Sequence, residues 1–207
     1  MQTQNESSLA EMTPQRALQL LREGNERFVA GQKTERDFGQ QRGDTREGQW
    51  PFAAILSCMD SRTSAELTFD LGLGDIFSIR LAGNCVNQDV LGSLEYACEV
   101  VGSKLILVLG HTRCGAVTGA CNGVELGNVT ALLSHIQPAV ATTKRECSDL
   151  APSDPEFVGR ATVNNVSCAI QEIRGQSEIL QKLEADGAIE IAGGVYDVET
   201  GGVEFLP

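Results

Sequence analysis

Lys104-Leu-Ile-Leu-Val-Leu-Gly-His111 is the stretch on which the fold turns. Leu105 to Leu109 run apolar without polar alternation, so neither face of this strand meets water. That is the signature of a parallel sheet covered by helices on both sides. Working upstream, Pro51-Phe-Ala-Ala-Ile-Leu-Ser-Cys58 has the same character, and Ile76 to Gly83 reads as another strand. A helical turn over Ala65–Asp70 separates these two. A segment from about Asp89 to Val101 follows, with Val90, Leu94, Ala97 and Val101 on one side. Strand, helix, strand, helix, strand predicts an α/β fold with a central, mostly parallel sheet and crossover helices.

The outer parts fit around this centre. Pro14 to Ala30 carries a helical apolar stripe of Ala17, Leu18, Leu21, Phe28 and Val29, with Thr13 to cap it and Gly31 to stop it. This predicts an N-terminal helical arm over residues 13–31, behind a polar lead (1–12) expected to be poorly ordered. Residues 32–49 read as a polar loop. Beyond Gly115 the chain is mostly helical, with segments at Asn128–Thr143 (kinked or ended by Pro138), Pro155–Arg174 and Ser177–Ala185. The tail, residues 189–206, has two apolar runs around Glu199-Thr-Gly-Gly202 and predicts a hairpin or an edge extension of the sheet. The whole chain, 1–207, reads as a single domain with its α/β core at 50–207.

Composition narrows the function classes. The 16 basic and 28 acidic residues give a net charge of −12, which argues against nucleic acid and against anionic membrane surfaces. No apolar run is long enough for a membrane span, and the start, MQTQNESSLAEM, does not resemble a secretory signal. A cytoplasmic, reduced protein is expected. Seven cysteines, an odd number, make a poor disulfide framework. Only His111 and His135 supply imidazole.

In open parallel sheets ligands bind at the carboxyl ends of the strands. One predicted strand ends in Cys58-Met-Asp60-Ser-Arg62, another in His111-Thr-Arg-Cys114-Gly. Brought together, Cys58, His111 and Cys114 offer two thiolates and an imidazole, a donor set for tetrahedral zinc with a fourth position left for water. Asp60 is placed to accept a hydrogen bond from that water, and Arg62 to hold the carboxylate. The plain alternative is two buried thiols and a core histidine, with a surface ion pair beside them. A cysteine nucleophile with Arg62 as anion binder is a further alternative, but three intervening residues including Asp60 make a poor anion cradle.

These motifs resemble those of the β-carbonic anhydrases. CMDSR (58–62) is similar to the family's C-x-D-S-R, HTRCG (111–115) to its H-x-x-C-G, and GLGDIFSIRLAGN (72–84) to the stretch between them. The likeness runs from about Pro14 to the C-terminal strand and is densest over 49–119. The resemblance implies one zinc per chain on Cys58, His111 and Cys114, and a catalytic Asp60–Arg62 dyad. It implies reversible hydration of carbon dioxide to bicarbonate and a proton by zinc-bound hydroxide. It implies that Gln49, Phe77 and Tyr96 line the substrate pocket; by themselves these read as a loop glutamine and two core aromatics. It further implies an intimate homodimer, or a dimer-based tetramer, with Gln49 and Tyr96 serving the partner's zinc. Arg80 matches one residue of a regulatory bicarbonate site found in a subclass, but Ile55 stands where that subclass has Trp, so no such site is expected. Thr63 replaces the usual Val or Ile and predicts a more polar pocket wall. His135 is the one spare imidazole for proton transfer, although a helix-surface or core place suits it better. Two rivals share the sequence features: a zinc hydrolase of carbonyl sulfide or carbon disulfide on the same fold, and a non-catalytic zinc-binding or redox-sensing protein.

Overall fold

The computed structural model describes residues 3–207. The chain begins with a short helix, α1 (Glu6–Ala10), inside the lead that the sequence reads as poorly ordered. Asn5 caps it, and Leu9 is buried beneath it. Helix α2 (Pro14–Val29) follows, capped as expected by Thr13, whose hydroxyl accepts from Arg16 N at 3.1 Å. The segment read as a polar loop holds a helix, α3 (Phe38–Asp44). Asp37 caps it, accepting from Gln40 N at 3.0 Å, and its tertiary anchor is non-local: the buried Gln41 accepts from Leu73 N at 3.1 Å. Arg36, just before α3, and Arg27, in the last turn of α2, both reach the buried Asp70 carboxylate at 2.6 Å. A hydrophobicity pattern does not register such polar anchors.

Strand β1 (Ala53–Ser57) leads through the short α4 (Ala65–Thr68) to β2 (Ile76–Arg80). Helix α5 (Gln88–Glu95) then widens into a π-helical turn at Tyr96–Val101, before β3 (Leu105–His111). Helices α6 (Gly115–Cys121), α7 (Gly127–Ser134) and α8 (Gln137–Glu146) come next, with Pro138 in the first turn of α8. Pro138 therefore starts a new helix, dividing the segment expected over 128–143. The long α9 (Pro155–Gln176) and α10 (Glu178–Ala185) precede β4 (Glu190–Tyr196) and β5 (Val203–Phe205).

The sheet order is β2-β1-β3-β4-β5, parallel through the first four strands and antiparallel only at β5. The alternation of buried side chains sorts the core into two layers. Ala54, Leu56, Ile106 and Val108 pack with α5, α9 and α10 residues such as Leu94, Val166 and Leu180. Ala53, Ile55, Leu105 and Leu107 face the other way, onto Leu21 of α2 and Phe69 after α4. Gly110 lets α9 approach β3 closely: a Cβ there would lie 2.7 Å from Val166. The buried Asn25 of α2 donates to the carbonyls of Thr68 and Gly201 and accepts from Val203 N, tying α2 to both α4 and β5. No helix among the described residues is long and apolar enough to cross a membrane.

The chain steps from β1 to β2 on one side and then returns to place β3 on the other. The connections leave the β1 and β3 ends in opposite directions, and a crevice opens at such a switch point. Cys58 follows the last residue of β1, and His111 is the last residue of β3.

Candidate metal centre

Cys58, His111 and Cys114 meet in that crevice. Their ligand atoms all lie within 4.8 Å of one another, and all three residues are buried. The two sulfurs are 4.0 Å apart. Tetrahedral coordination with metal–sulfur bonds of about 2.3 Å requires a sulfur–sulfur separation of about 3.8 Å, so the pair is already near coordinating distance. His111 Nδ1 lies 2.9 Å from Thr112 O, which fixes the proton on that nitrogen. Its Nε2 is buried with no hydrogen-bond partner. An orphaned, buried imidazole nitrogen facing two thiols is costly unless a cation completes it. The donor chemistry suits a thiophilic divalent ion.

The sulfurs are electrically unequal. Contact with Cys114 lowers the Cys58 thiol's pKa, opposed by burial and helped by His111 and by the N–H of Gly83. The same contact and burial push Cys114 up. Burial and the neighbouring sulfur's charge both oppose a second thiolate here. A dication is what would overcome that opposition. Cys85 belongs to the same buried cluster, but burial pushes its thiol up to about 12, so it stays a neutral neighbour.

Asp60 and Arg62 sit at the rim. Arg62 donates from Nε to Asp60 Oδ1 at 2.9 Å, from Nη2 to Oδ2 at 2.8 Å, and from its backbone N to Oδ1 at 3.0 Å. This grip holds the Asp60 carboxyl well below the usual carboxylate range, against the opposing effect of burial. Asp60 Oδ2 lies 4.0 Å from His111 Nε2. The carboxylate thus stands next to the metal position with both of its oxygens bound by the guanidinium.

Several supporting residues were not legible as such in the sequence. Arg80, at the end of β2, donates to Cys58 O at 3.2 Å and to Asp60 O at 2.6 Å, bracing both ends of the loop. Thr63 braces the loop from within. It is buried, and its hydroxyl turns inward to the carbonyls of Cys58 and Asp60, at 3.2 and 3.0 Å. Gly83 N donates to Cys58 Sγ at 3.3 Å, and Asn165 of α9 holds Gly83 O at 2.8 Å. The available signal was chemical: two adjacent asparagines, 164 and 165, inside an otherwise good helix, where asparagine is unfavourable unless it bonds to something.

The structure does not bring Gln49, Phe77 and Tyr96 to this centre within one chain. Gln49 is exposed, ahead of β1. Phe77 pairs in register with Ala54, four residues before Cys58, or about 13 Å at strand spacing. Phe77 and Tyr96 meet edge to face, with centroids 6.2 Å apart. They line a groove of about 540 Å³ between β2 and α5. Tyr96 is 50% exposed, so it is not the core aromatic that the sequence alone would allow. His135 is exposed at the C-terminal end of α7.

Comparison with known proteins agrees with the geometry. The family model described as carbonic anhydrase matches residues 53–203. "Carbonic anhydrase 2" of Mycobacterium tuberculosis is 37% identical over 194 residues, covering 91% of this chain and 90% of the relative. The solved β-carbonic anhydrase CcaA superposes with a TM-score of 0.76 at 25% identity, over 92% of this chain and 95% of that one. A tetrameric β-carbonic anhydrase of the ascomycete Sordaria macrospora shares the fold, with a TM-score of 0.72 at 23% identity, over 81% and 90% of the two chains. On the match of its sequence and its parallel-sheet architecture, the chain belongs to the β-class carbonic anhydrase family of enzymes.

Proposed function

We propose that the protein catalyses the reversible hydration of carbon dioxide to bicarbonate and a proton, with one zinc per chain held by Cys58, His111 and Cys114. One observation carries this reading. The orphaned Nε2 of His111 faces two thiols, and a carboxylate already gripped by an arginine stands 4.0 Å away. A structural zinc site is closed by four protein ligands, whereas three ligands with a polar group beside the open position suit a catalytic one. Zinc held by these three residues would supply a Lewis acid able to activate water as a nucleophile near neutral pH.

The chain's own residues do the rest. Asp60 remains ionised and acceptor-only, so it can take a hydrogen bond from the attacking group and point its lone pair at the substrate. Arg62, bound to both carboxylate oxygens, keeps Asp60 from turning onto the metal. Carbon dioxide is small, apolar and linear; it suits an apolar pocket with one amide to orient it. Gln49, Phe77 and Tyr96 are assigned that pocket, contributed across a homodimer to the partner subunit's zinc. The exposure of Gln49 and Tyr96, the distance of Phe77 from its own chain's centre, and the position of β2 at the sheet edge support the assignment.

Metal analysis beside stopped-flow carbon dioxide hydration, on wild type and Cys58→Ser, tests the reading. One zinc per chain with turnover, both reduced in the variant, is the expected result. Zinc without hydration would redirect the assay to carbonyl sulfide and carbon disulfide. Zinc with no turnover of any of the three gases would leave a binding protein. Absence of zinc from the wild type would remove the reading altogether.

A further inference from the structure

We propose that Asn165, far from the metal in sequence and absent from its ligand set, is a positioning residue for the Cys58 ligand. It acts through the Gly83 backbone. The inference rests on the zinc reading above.

Asn165 lies mid-way along α9, 4% exposed, on the face that packs against the sheet beside Val166 and Ala169. Leucine has nearly the same shape and would suit this apolar place and the helix better. What leucine cannot do is donate. Asn165 Nδ2 donates to Gly83 O at 2.8 Å, and Gly83 N in turn donates to Cys58 Sγ at 3.3 Å. Gly83 itself sits at φ +69, and a Cβ there would come within 2.6 Å of Ile136. Its backbone is thus packed directly against the metal cluster, in a conformation that costs glycine least. Pinning the carbonyl anchors the Gly83–Asn84 peptide plane, and with Gly83 held by packing at its positive φ this limits how far the preceding plane, which carries its N–H, can turn away from Cys58.

An N–H aimed at a thiolate does two things. It holds the sulfur in place and favours its thiolate form before metal arrives, which strengthens binding, and it withdraws part of the sulfur's charge, which shifts the charge-transfer band; the loss of positioning and of the thiolate form outweighs the gain in sulfur donation when the N–H turns away. Partners of this kind typically change metal affinity by about 10–100-fold when removed. Because Asn165 acts through an intervening residue, the low end of that range applies.

The adjacent residue supplies a matched control. Asn164 points the other way and donates to Thr143 Oγ1 and Glu146 Oε2 of α8, at 3.0 and 2.9 Å. It joins two helices and does not touch the metal shell.

The experiment uses the full-length protein. Zinc retention is measured by competition with a chelator in wild type, Asn165→Leu, Asn165→Asp and Asn164→Leu. The thiolate-to-metal charge-transfer band of the cobalt-substituted forms and the melting temperature are recorded alongside. Both Asn165 variants are expected to hold zinc about 10-fold more weakly, with the cobalt band displaced to longer wavelength as the sulfur becomes more electron-rich. Asn164→Leu should lower the melting temperature and leave both metal readouts unchanged. Wild-type zinc retention and an unmoved band in Asn165→Leu would overturn the proposal, as would equal zinc loss in Asn164→Leu. If Asn165→Leu does not fold, Asn165→Ser carries the same prediction, since its hydroxyl is too short to reach Gly83. A wild type that binds no zinc refutes the zinc reading itself, and is distinguishable because the failure precedes any variant.

Discussion

Replacing Asp60 with Asn separates the catalytic reading of the dyad from a structural one. The side chain keeps its size, so packing is unchanged. Three donors now converge on its two oxygens: Arg62 N at 3.0 Å, Nε at 2.9 Å and Nη2 at 2.8 Å. An asparagine can keep the first two through its single oxygen, but its amide nitrogen then faces Nη2, donor against donor. The ion pair is lost as well, although Arg62 is 50% exposed and water can take over its bonding. Exposed pairs contribute little to folding, so for a chain of this length the melting temperature should fall by no more than about 2–4 °C. Zinc content should stay at one per chain, since Asp60 is not a ligand. Turnover is another matter. The amide cannot offer the ionised acceptor that orients the attacking group, and losing a positioned proton acceptor costs about 10²–10⁴-fold. With Arg62 still present, a loss of about 10²–10³-fold in kcat/KM is expected, or about 3–4 kcal/mol of barrier. Stopped-flow hydration with a pH indicator, run beside zinc analysis and thermal melting, measures all three quantities. Activity within about threefold of wild type, with zinc intact, would refute the role given to Asp60. Loss of zinc would show that Asp60 holds the metal.

Three further outcomes follow from the same structure. Two thiolate donors neutralise a dication, so the metal-activated water should be less acidic than in a three-imidazole site, where its pKa is about 7. Since Arg62 keeps Asp60 ionised well below that range, the hydration rate should rise from about pH 7 towards pH 9, and a maximum on the acid side of neutrality would count against the mechanism. Arg36→Met leaves the buried Asp70 with Arg27 as its remaining cation and should cost about 3 kcal/mol in urea unfolding at neutral pH. Burial alone would raise the Asp70 pKa, but Arg36, Arg27 and Thr34 outweigh it and depress it. The stabilisation is therefore present above the ordinary aspartate value and lost as pH falls, so the gap between wild type and variant should narrow below about pH 4; a gap that does not change with pH would show that the charge is not what matters. Phe77→Asp places a charge in the Phe77–Tyr96 groove and should dissociate the proposed dimer in sedimentation velocity, with loss of turnover. A fully active monomer would refute the cross-subunit pocket.

The sequence by itself determined the parallel sheet, because apolar runs such as Leu105–Leu109 have no polar face to give to water. It also pointed to the ligand set, because thiols and an imidazole beside strand ends are local features that chemistry can interpret. Helix α3 escaped it. Gln41 and the nearby Arg36 are polar, and their stabilising partners, Leu73 and Asp70, lie more than thirty positions away. The turn of Thr63 into its own loop escaped for a related reason: a hydroxyl's direction is set by which carbonyls the fold brings within reach. Only the tertiary structure decided that the β1 and β3 ends would be neighbours, that Arg80 would brace the loop between Cys58 and Asp60, and that Asn165 would reach Gly83 from 82 residues away. Hydrophobic patterning is written in nearest neighbours along the chain. Hydrogen bonds that aim a metal ligand join residues that become neighbours only when the sheet and its helices close together.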